Sequence, residues 1–343
     1  MMIDPLQGYR EILAGRRRPS FLRLKEHRLS LPDGLSTEEL WRIHSREMEL
    51  FRSGSESGSG EVDLLQLKAE LACRLLENCH LCERGCGADR ASGEEGHCGV
   101  LEPLISSDFL HMGEEPPLVP SYTVFFAGCT FECVFCQNYD ISTNPRAGIH
   151  LEPEAIADRI ERRAFPTGKG DVHLSGRARN VNWVGGEPTP NIPYILRVLE
   201  LCNCNLPQIW NSNMYLSRES MDLLDGVIDI YLTDFKYGND DCALRLSNAP
   251  RYWEVITRNH VLAGNQGEVI VRHLVMPNHL ECCTFPILEW LSENLGGAVV
   301  NVMAQYRPMH RAMEHEDIAV PLRMEDYLRA RERALKIGLR FID

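Results

Sequence analysis

The chain has 343 residues and a formal charge of −13, from 49 acidic against 36 basic side chains. That balance argues against a broad nucleic-acid surface and fits a cytosolic protein, with one large domain plus additions or two domains. The opening Met1-Met2-Ile3-Asp4-Pro5 is too polar for a secretory signal, and no apolar run is long enough to cross a membrane. With 13 cysteines and no such signal, the expectation is metal or thiol chemistry rather than a disulfide framework.

Residues 1–60 read as an N-terminal helical extension and linker. Arg16-Arg17-Arg18 with Arg23, Lys25 and Arg28 forms a local basic stretch, read as a solvated face. Thr37 to Phe51 has helical periodicity with a cap at Ser36 or Thr37, and Ser53 to Gly60 is a flexible linker by composition. In the next division, 61–115, the apolar stripe of Val62 to Leu76 predicts a second helix leading to a glycine-rich loop with Cys79, Cys82, Cys86 and Cys98. Four cysteines on a loop with so little apolar content point to a metal-stapled module. Zinc would make it structural, and an iron–sulfur cluster would let it relay electrons; the spacing leaves that choice open. His80 and His97 adjoin these cysteines and are alternative ligands.

Division 116–343 alternates strands with amphipathic helices. Strands are predicted at Tyr122–Ala127, Val181–Val184, Gln208–Trp210, Ile228–Thr233, Val269–Met276 and Val299–Met303, with a short one at Leu339–Ile342. Helices are predicted at Ala155–Ala164, Ile192–Cys202, Arg218–Leu224, Tyr252–Ala263, Phe285–Leu295 and Met324–Ile337. Such alternation means parallel strands with right-handed crossovers, and six barrel-type strands predict an α/β partial (β/α)6 barrel with its site at the C-terminal strand ends.

The first strand runs into Gly128-Cys129-Thr130-Phe131-Glu132-Cys133-Val134-Phe135-Cys136. Three thiolates on one short loop can hold three irons of a four-iron cluster and leave the fourth open to a small molecule. The loop, with aromatic Phe135 before its last cysteine, resembles the radical S-adenosylmethionine (SAM) enzymes. Strand two ends Gly185-Gly186-Glu187-Pro188, similar to the motif with which that family grips the ammonium group of SAM.

Later strand ends, with Ser212, Asp234, Lys236 and His273, resemble those of pyruvate formate-lyase activating enzyme and its relatives, where they line the SAM pocket. Position by position, the resemblance puts these four around the ribose or carboxylate of SAM. Asn211 stands where an aspartate is expected, which argues against a carboxylate-bound monovalent cation. Gln305, Tyr306 and Arg307 at the last strand end are candidate substrate contacts.

The whole set, four-cysteine segment included, is most similar to an uncharacterised, PflX-like branch of activating-enzyme-like proteins. The resemblance implies a [4Fe-4S] cluster on Cys129, Cys133 and Cys136, SAM as cofactor, and an electron donor of the flavodoxin or ferredoxin kind. It implies a 5′-deoxyadenosyl radical that abstracts hydrogen from a protein or peptide partner, or from a small molecule; no residue is assigned as acid or base. Two alternatives stand: a member of the kind associated with Memo-type partners (AmmeMemoRadiSam), and a non-enzymatic metal or electron carrier, which would not need the strand-end motifs. The other six cysteines (Cys73, Cys202, Cys204, Cys242, Cys282 and Cys283) have no ligand-like spacing and are read as small buried hydrophobes.

Overall fold

The computed structural model describes residues 4–55, 58–164 and 176–342. Its N-terminal part is helical: α1 (Gln7–Leu13), α2 (Ser20–Glu26), α3 (Thr37–Ser53) and α4 (Leu64–Arg74). Both longer helices begin in capping boxes, Ser36 with Glu39 and Asp63 with Gln66, where each pair satisfies two otherwise orphaned N–H groups. Strands β1 (Arg28–Leu29) and β2 (Val62–Asp63) pair antiparallel and tie α2 to α4. Gly54 caps α3 in the left-handed region (φ 69°), and a Cβ on Gly60 would meet the Leu29 backbone at 2.0 Å. The linker read from composition is therefore folded at both ends; Glu56 and Ser57 lie outside the described residues.

The main sheet begins with β3 (Leu104–His111), β4 (Ser121–Phe126) and, beyond α5 (Tyr139–Ser142), β5 (Ile149–His150). Strand–helix units follow: α6 (Pro153–Ala164), β6 (Asn180–Gly185), α7 (Ile192–Leu201), β7 (Gln208–Ser212), α8 (Arg218–Leu224) and β8 (Ile230–Asp234). The chain closes with α9 (Asp240–Ser247), α10 (Tyr252–Gln266), β9 (Glu268–Leu274), α11 (Phe285–Asn294), β10 (Val299–Met303), α12 (Met324–Lys336) and β11 (Arg340–Phe341). The strand order is β11-β10-β9-β8-β7-β6-β4-β3-β5. Strands β4 and β6 to β11 are parallel, and β3 and β5 extend the sheet antiparallel. This is the partial (β/α)6 barrel, with a short parallel strand beyond its sixth and an antiparallel flank before its first. Strand β3 escaped the sequence reading because its half-exposed, polar-rich pattern looks like a connecting segment.

Two cores hold the barrel. A large one, from Phe21 to Ala334, lies between sheet and helices. A smaller one fills the barrel at the start of its strands, where Leu6, just before α1, and Tyr9 of α1 meet Ile209, Ile230, Ile270 and Val299. The Glu268 carboxylate accepts from Gly8 N (2.6 Å) and Tyr9 N (3.0 Å), so the N-terminal turn of α1 is anchored to β9. The N-terminal segment thus plugs the barrel floor, and the opposite, C-terminal strand ends carry the open cavity. Nor is the basic stretch merely solvated: Lys25 Nζ donates to the carbonyls of Glu200 (2.8 Å) and Cys202 (2.7 Å) at the end of α7.

Candidate active site

A cavity of about 550 Å³ opens at the C-terminal ends of β4 and β6 to β10. Cys129, Cys133, Phe135 and Cys136 form one wall; Gly185, Gly186, Glu187, Ser212, Asp234 and Lys236 contribute to the rest.

Each cysteine has a donor or polar partner at its sulfur. Phe131 N donates to Cys129 Sγ (3.4 Å), Ser247 Oγ to Cys133 Sγ (2.9 Å), and Cys136 Sγ lies 3.2 Å from Ser142 Oγ. Burial pushes the Cys129 thiol well up, with Glu187 adding to it. Cys133 rises to about 11, mainly by burial, while Lys236 pulls the other way. Half-buried cysteines with polar partners beside an open cavity are the environment that iron would convert to bound thiolates. Phe135 packs edge-on to Tyr237 and tilted on Tyr306, which fixes the last turn of the loop.

The paired glycines serve the backbone. Gly186 N donates to Phe126 O (2.9 Å), and a Cβ there would meet Gly128 O at 2.1 Å. Gly185 has φ 135°, and its Cβ would meet Phe126 N at 2.2 Å. Both let the end of β6 press against the start of the cysteine loop. Glu187 is buried and already engaged: Oε1 accepts from Thr189 Oγ1 (2.5 Å), Ser212 Oγ (2.6 Å) and Thr189 N (3.3 Å), and Oε2 from Asn213 N (3.0 Å). Burial raises its pKa against those donors. Its Oε2 keeps acceptor capacity, and its carboxylate locks the β6 and β7 ends in register.

Asp234 and Lys236 leave β8 on one side, as alternation requires, and form an ion pair at the cavity. Burial opposes the charge on Lys236, but Asp234 and the thiols outweigh it and raise its pKa. His273 is different. It points away from the cavity, fully buried, with Nδ1 2.8 Å from Phe235 O and Nε2 2.9 Å from Thr284 Oγ1. The reading that placed it around SAM is corrected. On β9, Ile270, Arg272 and Leu274 face the interior, and Arg272 rather than His273 lines the cavity.

Arg272 was missed by the sequence reading. Its Nε donates to Glu115 Oε1 (2.8 Å) and its Nη2 to Glu115 Oε2 (2.7 Å), with Glu114 on the same nitrogen. Asn301 also donates to Glu115 Oε1 (2.9 Å). A period-two reading of β9 would have found the arginine; the glutamates arrive from the turn before β4, which carries no pattern. Gln305 lines the cavity, whereas Tyr306 is buried and donates to Ile318 O (2.6 Å), a structural role; Arg307 is exposed outside the lining.

The four-cysteine segment docks beside the cysteine loop. Arg84 donates to Thr130 O from Nε (3.1 Å) and Nη2 (3.0 Å), and Cys82 forms a bridge with Leu216. Burial first, with smaller contributions from Cys98, Cys79 and Cys86, pushes the Cys82 thiol up to about 12. The neighbouring histidines turn elsewhere: His80 Nδ1 lies 2.6 Å from Asn78 O, and His97 Nε2 3.4 Å from Glu132. Among the remaining six cysteines, Cys202 and Cys204 are buried, as small hydrophobes would be, and Cys73 is half-buried. Cys242, Cys282 and Cys283 instead gather around His279, which corrects their reading as isolated buried groups.

The family model for the Radical SAM superfamily matches residues 123–291. An uncharacterised protein of Methanocaldococcus jannaschii, MJ0674, is 45% identical over 319 residues, covering 90% of each chain. A second from that organism, MJ0808, is 25% identical over 293 residues, covering 77% of this chain and 79% of the relative. Among solved structures, methylornithine synthase is 14% identical with a TM-score of 0.45, covering 97% of this chain and 77% of that one. Streptococcus suis SuiB bound to S-adenosylmethionine is 16% identical with a TM-score of 0.42; the match covers 62% of this chain and 47% of SuiB, about half its length. No described helix is long and apolar enough to cross a membrane.

Proposed function

The chain belongs to the radical SAM superfamily, and from that premise we propose that it is an activating-enzyme-like member that takes hydrogen from a protein or peptide partner. Cys129, Cys133 and Cys136 would hold a [4Fe-4S] cluster, and Gly185, Gly186, Glu187, Ser212, Asp234 and Lys236 would bind SAM. When bound, that pair of cofactors supplies one-electron cleavage of the sulfonium bond and, from it, a 5′-deoxyadenosyl radical.

The observation that carries the proposal is the convergence of the three cysteines and the later strand-end motifs on one cavity. Its walls offer both signs of charge. Oε2 of Glu187 and the Asp234 carboxylate can take an ammonium or sulfonium, and Lys236 can take a carboxylate, which suits a zwitterionic ligand. Gly185 and Gly186 keep the backbone close to the cysteine loop, and the buried walls limit water at the reacting groups.

At about 550 Å³ the cavity has the size of a small-molecule cleft, about 300 to 1,000 Å³, which suits SAM. A partner then enters by one side chain or a short segment past Gln305 at the mouth. The four cysteines Cys79, Cys82, Cys86 and Cys98, docked through Arg84 onto the cysteine loop, would hold a second metal. An electron donor of the flavodoxin or ferredoxin kind would complete a cytoplasmic system.

Anaerobic reconstitution, reduction and addition of SAM test this, with 5′-deoxyadenosine as readout and Cys133→Ala as control. Activity proteomics with deuterated candidate partners follows: deuterium transferred into 5′-deoxyadenosine from a protein supports a protein substrate, and transfer only from small molecules contradicts it.

A further inference from the structure

At the N-terminal end of α9, a second group of ligand-type side chains has its ligand atoms within 4.8 Å of one another. Cys242 comes from the first turn of α9, and His279, Cys282 and Cys283 from the turn between β9 and α11. His279 Nδ1 lies 3.6 Å from Cys242 Sγ, 3.3 Å from Cys282 Sγ and 3.6 Å from Cys283 Sγ. Cys282 Sγ lies 4.0 Å from Cys242 Sγ and 3.8 Å from Cys283 Sγ. With zinc–sulfur bonds of about 2.3 Å and zinc–nitrogen bonds of about 2.0–2.1 Å, a tetrahedron has sulfur–sulfur edges of about 3.8 Å and sulfur–nitrogen edges of about 3.5 Å. These five edges agree with both, and the sixth, from Cys242 Sγ to Cys283 Sγ, is within 4.8 Å.

We propose that Cys242, His279, Cys282 and Cys283 bind one zinc ion in a closed structural site that staples α9 to the turn after β9. Three features support it. First, the backbone departs from α geometry to present the ligands: residues Leu280–Thr284 form a π-helical turn, closed by Thr284 N to His279 O (3.0 Å). On a regular helix, successive side chains point in divergent directions, and the wider turn lets Cys282 and Cys283 converge. Second, His279 presents Nδ1 to the sulfurs while Nε2 lies 2.9 Å from Asp317 Oδ2. That is the carboxylate–histidine–metal relay which fixes tautomer and ring orientation. Arg245, on the same helix as Cys242, holds Asp317 in turn through both its oxygens (3.1 and 2.5 Å). Third, Asn239 donates to Cys283 Sγ (3.9 Å) and Cys282 O (2.8 Å), and a Cβ on Gly238 would meet Cys282 O at 2.7 Å.

Sulfurs packed at tetrahedral edge length leave no volume for a multi-iron cluster, whose cysteines are spread over separate irons. Four protein ligands leave no open position, so the metal is structural. What it stabilises is visible at the other end of α9. Leu246 O and Ser247 O accept from Val134 N (2.9 Å) and Glu132 N (3.0 Å) of the cysteine loop. Ser247 Oγ reaches Cys133 Sγ (2.9 Å). The zinc therefore fixes the helix on which the cluster loop rests.

The proposal stands whether or not SAM is cleaved. It is tested on the full chain by zinc and iron analysis of the wild type, a Cys242→Ser/Cys282→Ser double variant and an Asp317→Asn variant. The wild type is expected to carry one zinc per chain more than the double variant; any zinc on the N-terminal cysteines is common to both. Asp317→Asn keeps all four ligands and is expected to lose zinc to a chelator at about 10–100-fold lower chelator concentration. Should the double variant fail to fold, that competition decides alone. Equal zinc in wild type and double variant, iron instead of zinc as the metal lost, or unchanged chelator competition in Asp317→Asn would each overturn the assignment.

Discussion

Single contacts at the cysteine loop have consequences that can be measured one at a time. Ser247 Oγ donates to Cys133 Sγ, and a donor to a ligating sulfur favours the more negative, reduced cluster. Ser247→Ala is predicted to lower the cluster's reduction potential in an EPR-monitored titration, with iron content unchanged; an unchanged potential would contradict the contact. At Gly186, an added Cβ at 2.1 Å from Gly128 O forces the loop to move. Gly186→Ala should cost about 1–3 kcal/mol, as overpacking does, and should lower iron retention after reconstitution. Wild-type melting and iron content in that variant would show the close approach to be dispensable.

Between elements, two buried histidines act as neutral ties. His260 Nδ1 lies 2.8 Å from Ile256 O and Nε2 2.8 Å from Thr233 Oγ1; His273 bridges Phe235 O and Thr284 Oγ1 in the same way. Each ring has a carbonyl at one nitrogen and a hydroxyl at the other, and its full burial away from water disfavours the charged form. Burial lowers both to about 4. Their folded values lie below the unfolded value of about 6.5, so the unfolded chain takes up protons first as pH falls. The stabilisation is complete above pH 6.5 and is lost as pH drops from 6.5 towards 4, on the order of 2 kcal/mol per ring by pH 5. Burial raises Glu187, Asp229 and Glu268, which work in the opposite direction. A His260→Gln variant isolates one ring: urea unfolding between pH 7 and 5 should show a shallower loss than in the wild type. A parallel pair of curves would refute the assignment.

At the scale of the molecule, the strands of the barrel were legible because parallel strands are buried on both faces and read as apolar runs between amphipathic helices. The cysteine loop and Gly185-Gly186-Glu187 were legible because their chemistry is compact in sequence. What was hidden is what the fold assembles from a distance. Helix α1 carries Tyr9 and Ile12 as buried anchors, with Leu6 just before it, too few to mark it as the plug of the barrel. Arg272 and His273 are adjacent, and a one-residue choice of face exchanged an ion-paired cavity residue for a structural ring. Cys242 lies far in sequence from His279-x2-Cys282-Cys283, and no local spacing links them. Topology supplied that link.

The central claim is that these motifs cleave SAM, and 5′-deoxyadenosine formation by the reduced, reconstituted protein tests it most directly. The account predicts product from the wild type and none from Cys133→Ala. A wild-type protein that holds its cluster, fails to bind SAM and forms no 5′-deoxyadenosine would contradict it.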